Sequence, residues 1–259
     1  MSFDSYHWID APIADVELTE ARSRLASGTA SGVDFLMLLR SGHTVAVGVA
    51  LDHFHQAESM TRFGDDNPYA PYEDEVLAKA RGILKEPASL RSETGGHEDG
   101  ANHDSALYVM GNLADPDSPE DREAVASAVR KAATPASLEA ATGTAGMLLA
   151  DSEPLDQNLL DALSEVILDE ERDVWSRVRG IVALSNVTDR KAADVLERAA
   201  TQNSEKVQLE VVIILANRHM STHRSVVEEM TASWPENADY PRSLVLDALR
   251  SARAEGATE

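Results

Sequence analysis

The chain repeats itself between residues 175 and 231, and this repetition restricts the possible folds more than any other feature. Residues 176–184 are followed 31 positions later by residues 207–215, with apolar side chains at matching places. Residues 194–198 and 225–229 match at the same offset. A fixed period of about 20 to 50 residues with two apolar-periodic segments per unit is typical of stacked helix pairs, because one pair alone cannot bury its apolar face.

A leucine near the end of each first helix extends the period along the chain. These leucines are spaced by 36, 35, 31 and 34 residues: Leu113, Leu149, Leu184, Leu215 and Leu249. We therefore predict an all-α fold, a right-handed α-solenoid of about six to seven stacked helix pairs. It forms a single domain over residues 17–253, whose first helix is expected to be capped by Thr19.

Several segments fall outside the repeat. Residues 1–16 are predicted to form an N-terminal arm or cap, and residues 254–259 a disordered tail. The Gly, Pro and Asn content of residues 63–72 and 87–104 predicts two insertions without regular structure. Residues 43–60 alternate β-branched side chains in a way that also fits a strand, but their Gly-Val-Ala-Leu run resembles the repeated segment and favours a helix.

The composition restricts the class of partner. With 45 acidic and 23 basic residues, the net charge is −22, and such a surface repels nucleic-acid phosphates and anionic membranes. A protein with a basic surface is the expected partner, although a halophilic origin explains the acidity equally well. The absence of cysteine excludes disulfides and thiolate metal sites. No signal peptide or transmembrane segment is evident, so a cytoplasmic location is expected.

Two of the predicted first helices share a further pattern, in which an arginine follows the helix start and an Ala-Leu-small triplet ends the helix. The residues concerned are Arg177, Gly180, Ala183, Leu184 and Ser185, and again Arg242, Ala248 and Leu249. Over roughly residues 43–252 the chain resembles HEAT repeats, particularly the short bacterial, phycobilin-lyase-like type; Gln208 departs from the pattern. The resemblance implies the solenoid fold. It leaves the function open, because the family contains scaffolds, bilin-lyase-like proteins and alkylpurine DNA glycosylases.

The first insertion and the start of the next helix form the strongest candidate binding site. Five acids surround two tyrosines with no basic residue among them: Asp65, Asp66, Tyr69, Tyr72, Glu73, Asp74 and Glu75. Aromatic rings beside charge act as anchors at protein interfaces, and a solenoid needs no such insertion for its stability. We predict partner binding here. In the alternative interpretation, both tyrosines merely hold the loop against the neighbouring repeat.

Several histidines and acids lie close together in sequence and are therefore candidate metal ligands. His53 and His55 are two positions apart, so a helix directs them to different sides. The acids and histidines of residues 87–104 match neither an EF-hand nor a zinc motif. His219 and His223 lie across the turn between two predicted helices. The sequence therefore predicts no metal ion and no cofactor.

Two further expectations concern the start of the repeated segment. Trp175 shares a helix face with Val178 and Val182, and we expect it in the core. Arg177 and Arg179 are expected to hydrogen-bond to acids within or between repeats.

A non-enzymatic protein–protein interaction scaffold is the preferred function, with an acidic surface that binds a basic partner and an inhibitory or immunity-like role as one form. No phosphate-binding glycine loop, Gly-x-Ser-x-Gly or His-Glu-x-x-His motif occurs. The alternative is an enzyme on the same scaffold, DNA-glycosylase-like or bilin-lyase-like. Basic residues do occur along the later repeats, where they are interleaved with acids: Arg177, Arg179, Arg190, Lys191 and Arg198. A housekeeping role with merely structural acidity is the third hypothesis.

Overall fold

The computed structural model describes residues 12–85, 101–132 and 134–255, and all regular structure in these ranges is helical. The predicted all-α class is therefore confirmed. The chain forms two compact units, Met1–Thr144 and Ala145–Glu259. The helices of the first unit are α1 (Val16–Ala26), α2 (Gly32–Arg40), α3 (Thr44–Thr61), α4 (Glu73–Lys85), α5 (Ala101–Leu113) and α6 (Pro119–Lys131). Helix α7 (Pro135–Asp151) continues into the second unit, which contains α8 (Gln157–Leu168), α9 (Val174–Ala183), α10 (Arg190–Ala200), α11 (Glu205–Arg218), α12 (Met220–Thr231) and α13 (Arg242–Glu255).

Helix starts follow side chains that cap the backbone. The Asp15 carboxylate precedes α1 and accepts hydrogen bonds from the amides of Glu17 and Leu18 at 2.9 and 3.1 Å. The prediction of Thr19 as the cap is wrong, because Asp15 already satisfies two of the free amides at this end. Serine or aspartate caps also precede six later helices: Ser31, Ser118, Asp156, Asp173, Asp189 and Ser204.

The ambiguous segment 43–60 forms α3, which confirms the helical prediction. Every residue from 46 to 52 is buried, and so is Phe54. Helices α1, α2 and α5 all pack against α3. A helix covered on several sides loses the one-sided apolar stripe that marks a surface helix, which is why its sequence also resembled a strand.

The two predicted insertions differ in what the structure describes. Residues 63–72 are irregular, as predicted, except for a 3₁₀ turn at Ala70–Tyr72. Helix α5 begins at Ala101, so the last four residues of the predicted loop 87–104 form its first turn. The rest of that loop lies outside the described residues.

The predicted ends of the domain also shift by a few residues. Most of the predicted arm 1–16 lies outside the described residues, and α1 begins at Val16. Helix α13 reaches Glu255, two residues into the predicted tail 254–259, and the remaining tail residues are likewise outside. None of the described helices combines the length and the apolar character that crossing a bilayer requires.

The helices of the second unit pack in two rows. Helices α8, α10 and α12 contact one another in succession along one row, and α9, α11 and α13 along the other. Contacts of α8 with α9, α10 with α11 and α12 with α13 join the rows. The 31-residue repeat relates α9 to α11 and α10 to α12, so helices that are equivalent in sequence are neighbours in one row.

A buried polar pair connects the start of α9 to the end of α10. The buried Arg177 donates from Nη1 to Oε1 of Gln202 at 3.0 Å, and Gln202 donates from Nε2 to the carbonyl of Ile167 at 3.1 Å. The bond from Arg177 was expected to go to an acid. An amide takes this place because it accepts from the guanidinium and donates to the carbonyl at once, which a carboxylate without a proton cannot do.

Trp175 does not lie in the core, so that prediction is wrong. Trp175 is 59% exposed, and Nζ of Lys206 from α11 lies 2.8 Å from the centre of the indole ring. Trp175 and Val182 are seven residues apart and share the outer stripe of α9, where Val182 is also exposed; Val178 faces inward and is buried. The tryptophan is covered by an ammonium group instead of apolar neighbours.

Candidate functional site

The two tyrosines of the predicted site pack on one buried phenylalanine. The rings of Tyr69 and Phe35 stack with centroids 4.2 Å apart, and Tyr72 stacks on Phe35 at 5.9 Å. Phe35 of α2 is fully buried, and burial raises the pKa of the Tyr69 hydroxyl. Gly32 permits this approach, because a Cβ at that position would collide with the Tyr72 hydroxyl. The tyrosines therefore fasten the loop to α2.

The rest of the loop is held by polar contacts at the end of α3. The Asn67 side chain donates from Nδ2 to Oε2 of Glu58 at 2.8 Å, and its Oδ1 accepts from the amide of Tyr69 at 2.8 Å. Gly64 adopts φ +95°, a left-handed conformation that favours glycine, where the chain turns away from α3. These contacts give residues 63–75, here called the acidic segment, a defined conformation.

The five acids of the acidic segment fall into different environments. Glu75 accepts two hydrogen bonds from Arg40, at 2.6 and 2.8 Å, and this guanidinium lowers the pKa of the Glu75 carboxyl. Asp65, Asp66 and Asp74 are exposed and form no ion pair with a described residue, while Glu73 is half-buried. The paired Glu75 supports the loop. The three exposed aspartates present uncompensated negative charge to solvent.

Phe63 is the exposed aromatic residue of the acidic segment, which the sequence analysis did not single out. It is 80% exposed, and it directly precedes Gly64 in the turn after α3. Met60, at the end of α3, is also exposed. No sequence signal distinguished Phe63 from the two tyrosines. The difference depends on which ring reaches α2, and that is a tertiary contact.

Of the two histidines of α3, His55 contacts helix α5. Nδ1 of His55 lies 3.0 Å from the amide nitrogen of Asn112, and its ring stacks on Tyr108 at 4.9 Å. Burial lowers the pKa of both His53 and His55. Beside them, burial raises the pKa of the Asp52 carboxyl to about 6, although Gln56 donates a hydrogen bond to it at 2.7 Å.

One group of three side chains within the described ranges brings potential metal ligands together: Asp194, Glu197 and His223. The sequence groups His223 with the nearby His219, whereas the structure places it beside acids of another helix. His219 follows α11 and precedes α12, as expected for a residue in the turn, and its Nε2 lies 3.1 Å from the carbonyl of Val187. The 31-residue offset of the repeat was the sequence signal that could have indicated this group, because it predicts that α10 and α12 are neighbours.

Comparison with known proteins does not assign the chain to a family. No protein-family model matches the chain, and no curated protein sequence matches it significantly.

Proposed function

We propose that this protein is a non-enzymatic interaction scaffold, a HEAT-like α-solenoid that binds a basic partner protein through its acidic segment. The observation that supports it best is the exposed ring of Phe63, followed in the same loop by the exposed, unpaired Asp65 and Asp66. Aromatic anchors surrounded by complementary charge are the usual composition of a protein-binding surface.

The solenoid part of the proposal is supported by the packing of the second unit. Its helices follow two rows, and sequence-equivalent helices contact one another within each row. Stacked helix pairs with nearest-neighbour contacts define a repeat array. Such arrays commonly present loops and helix faces to partners, which agrees with an insertion placed between two helices.

Rigidity is the second argument for binding at the acidic segment. Tyr69 and Tyr72 stack on Phe35, and Arg40 pairs with Glu75, so the second half of the acidic segment is fixed before any partner arrives. A pre-organised loop loses less conformational entropy on binding than a flexible one. The exposed aspartates then attract a basic surface over about one Debye length, which is about 8 Å at physiological salt.

A labelled nona-arginine peptide tests the proposal without knowledge of the natural partner. Fluorescence anisotropy of the full chain should show binding that weakens steeply with salt. The double variant Asp65→Asn/Asp66→Asn should weaken it by about five-fold, the loss of roughly 1 kcal/mol that two exposed charges contribute. Phe63→Ser should weaken it further, because a guanidinium of the peptide loses the aromatic ring on which it stacks.

The matched control is Glu170→Gln/Glu171→Gln, which removes the same charge from two exposed acids of the second unit. This variant should bind the peptide as the wild-type chain does. If both double variants lose affinity equally, the binding reflects net charge alone, and the acidic segment is not the site.

A further inference from the structure

Two acids and a histidine from adjacent helices of the second unit converge on a small volume. Asp194 and Glu197 lie on α10, His223 lies on α12, and one ligand atom of each is within 4.8 Å of the other two. The two carboxylate side chains are about half exposed, at 54% and 52%, whereas the imidazole is 7% exposed. We call these three residues the His223 cluster.

Helix geometry explains the convergence. Positions 194 and 197 are three residues apart, so both side chains project from one face of α10. The opposite face of α10 buries Ala192, Leu196 and Ala199. On α12, the backbone departs from helical angles at His223, with φ −120° and ψ 21°, and the imidazole lies beside the two carboxylates of α10.

The hydrogen bonds around His223 are compatible with the tautomer that a metal ion requires. Oγ1 of Thr222 lies 3.2 Å from the carbonyl of His219 and 2.8 Å from Nδ1 of His223. When the threonine hydroxyl donates its one hydrogen to the carbonyl, Oγ1 accepts from Nδ1–H of His223. The lone pair of the imidazole is then on Nε2, and an ion bound at Nε2 selects this arrangement.

That Nε2 faces the carboxylates without a hydrogen bond. It lies 3.9 Å from Oδ1 of Asp194 and 3.8 Å from Oε2 of Glu197, distances too long for a hydrogen bond. In the tautomer with the proton on Nδ1, the lone pair on Nε2 is directed at two anions and has no favourable partner there. A cation placed among the three atoms satisfies all of them. The observation that points to a ligand, beyond the presence of two acids, is that an imidazole side chain only 7% exposed directs its Nε2 at both carboxylates.

The distances agree with coordination of one ion. Zinc–nitrogen and zinc–oxygen bonds are about 2.0 to 2.2 Å long, so two ligands of one zinc ion can be up to about 4.2 Å apart. The contacts of Nε2 fall within this limit, and the half-exposed carboxylates can rotate to close the rest. Arg190, whose Nε lies 3.9 Å from Asp194, is 85% exposed and forms only a weak surface pair that an ion can displace.

We propose that Asp194, Glu197 and His223 bind a divalent transition-metal ion, for which Zn²⁺ is the best match. Imidazole nitrogen favours zinc over Mg²⁺ and Ca²⁺, and the two carboxylates neutralise its charge. Three protein ligands leave further coordination positions for water, as in zinc sites that are not closed. Thr222 is the outer partner that holds the imidazole tautomer.

A zinc titration of the full chain tests this site. The chain is treated with a chelator, dialysed, and titrated with Zn²⁺ against a chromogenic competitor at 150 mM NaCl. One ion per chain is expected to bind, and Mg²⁺ should not displace it. Glu197→Gln and Asp194→Asn should each weaken binding by more than about ten-fold, at least the loss that an outer-shell partner causes.

Glu229→Gln is the control, because it removes an exposed acid from α12 outside the His223 cluster. It should leave the zinc affinity unchanged, as should Asp65→Asn/Asp66→Asn in the acidic segment. The proposal is overturned if the wild-type chain binds no zinc, or if Glu197→Gln binds it as tightly as Glu229→Gln does. Neither result depends on whether the acidic segment binds a basic peptide.

Thr222 provides a second test that does not alter a ligand. Thr222→Val removes the acceptor for Nδ1–H and should weaken zinc binding by about 10- to 100-fold. Thr222→Ser retains the hydroxyl and should restore the affinity, which a purely structural role of the threonine methyl group would not predict. Equal affinities of the valine and serine variants would contradict the assigned tautomer.

Discussion

The acidic segment and the His223 cluster both gather carboxylates, but they do so differently. In the acidic segment, Asp65, Asp66 and Asp74 are exposed and share no common partner among the described residues. In the His223 cluster, two carboxylates and one buried imidazole converge within 4.8 Å. Separate charges attract a partner through a field that salt screens, whereas converging ligands bind one ion through short bonds.

This difference shows that the number of acids does not indicate the kind of site. The acidic segment has five acids in 13 residues, and it is suited to an extended basic surface. The His223 cluster has only two acids, yet its geometry selects for a single cation. In a chain with a net charge of −22, what distinguishes a site is the neighbour that each carboxylate faces.

The largest effect is expected from the aromatic platform beneath the acidic segment. Phe35→Ala removes a fully buried ring on which Tyr69 and Tyr72 stack, and it should lower the free energy of unfolding by about 3 to 5 kcal/mol. Urea denaturation measures this change. Val33→Ala, on the same helix but 70% exposed, should cost less than about 0.5 kcal/mol. Similar losses for the two variants would mean that the platform does not support the segment.

A buried acid extends the comparison to a third environment. Burial raises the pKa of Asp52 from 3.8 to about 6, so the folded chain keeps a proton that the unfolded chain loses. Stability attributable to Asp52 is therefore fully present below pH 3.8 and is lost as the pH rises through about 6, by up to about 3 kcal/mol.

Asp52→Asn tests this pH dependence, because its amide oxygen can still accept the hydrogen bond from Gln56. Relative to wild type, the variant should gain stability between pH 4 and pH 7, as followed by urea denaturation at both values. Asp65→Asn, which changes an exposed acid, should shift stability little at either pH. If the stability difference between Asp52→Asn and wild type is the same at pH 4 and pH 7, the pKa of Asp52 is not raised in the folded chain.

A smaller effect is expected in the unit that contains the His223 cluster. Gln202→Leu removes the acceptor for the buried Arg177 and the donor to Ile167, and it should cost about 2 kcal/mol of unfolding free energy. Gln157→Leu changes an exposed amide that bonds to Lys191 and should cost less than about 0.5 kcal/mol. Thermal denaturation of both variants compares them directly; a neutral Gln202→Leu would show that the buried guanidinium needs no such partner.

Much of the helical architecture could be predicted because its signals are local. The repeat predicted α9 to α12, and the acids after the first insertion predicted the start of α4. The exposure of Trp175 could not be predicted, because a stripe of apolar residues does not say which part of it meets a neighbouring helix. The same limit applies to the acidic segment, where the tyrosines turned inward to Phe35 and Phe63 remained outside.

The sequence by itself determined that the described chain is helical, that the chain is strongly acidic, and which helices are equivalent. These properties depend on side chains within a few residues of one another and on a period that can be counted. Only the tertiary structure decided which acids stay alone, which pair with arginine and which face His223. Asp194 and His223 are 29 residues apart, and only the side-by-side packing of α10 and α12 brings their side chains together.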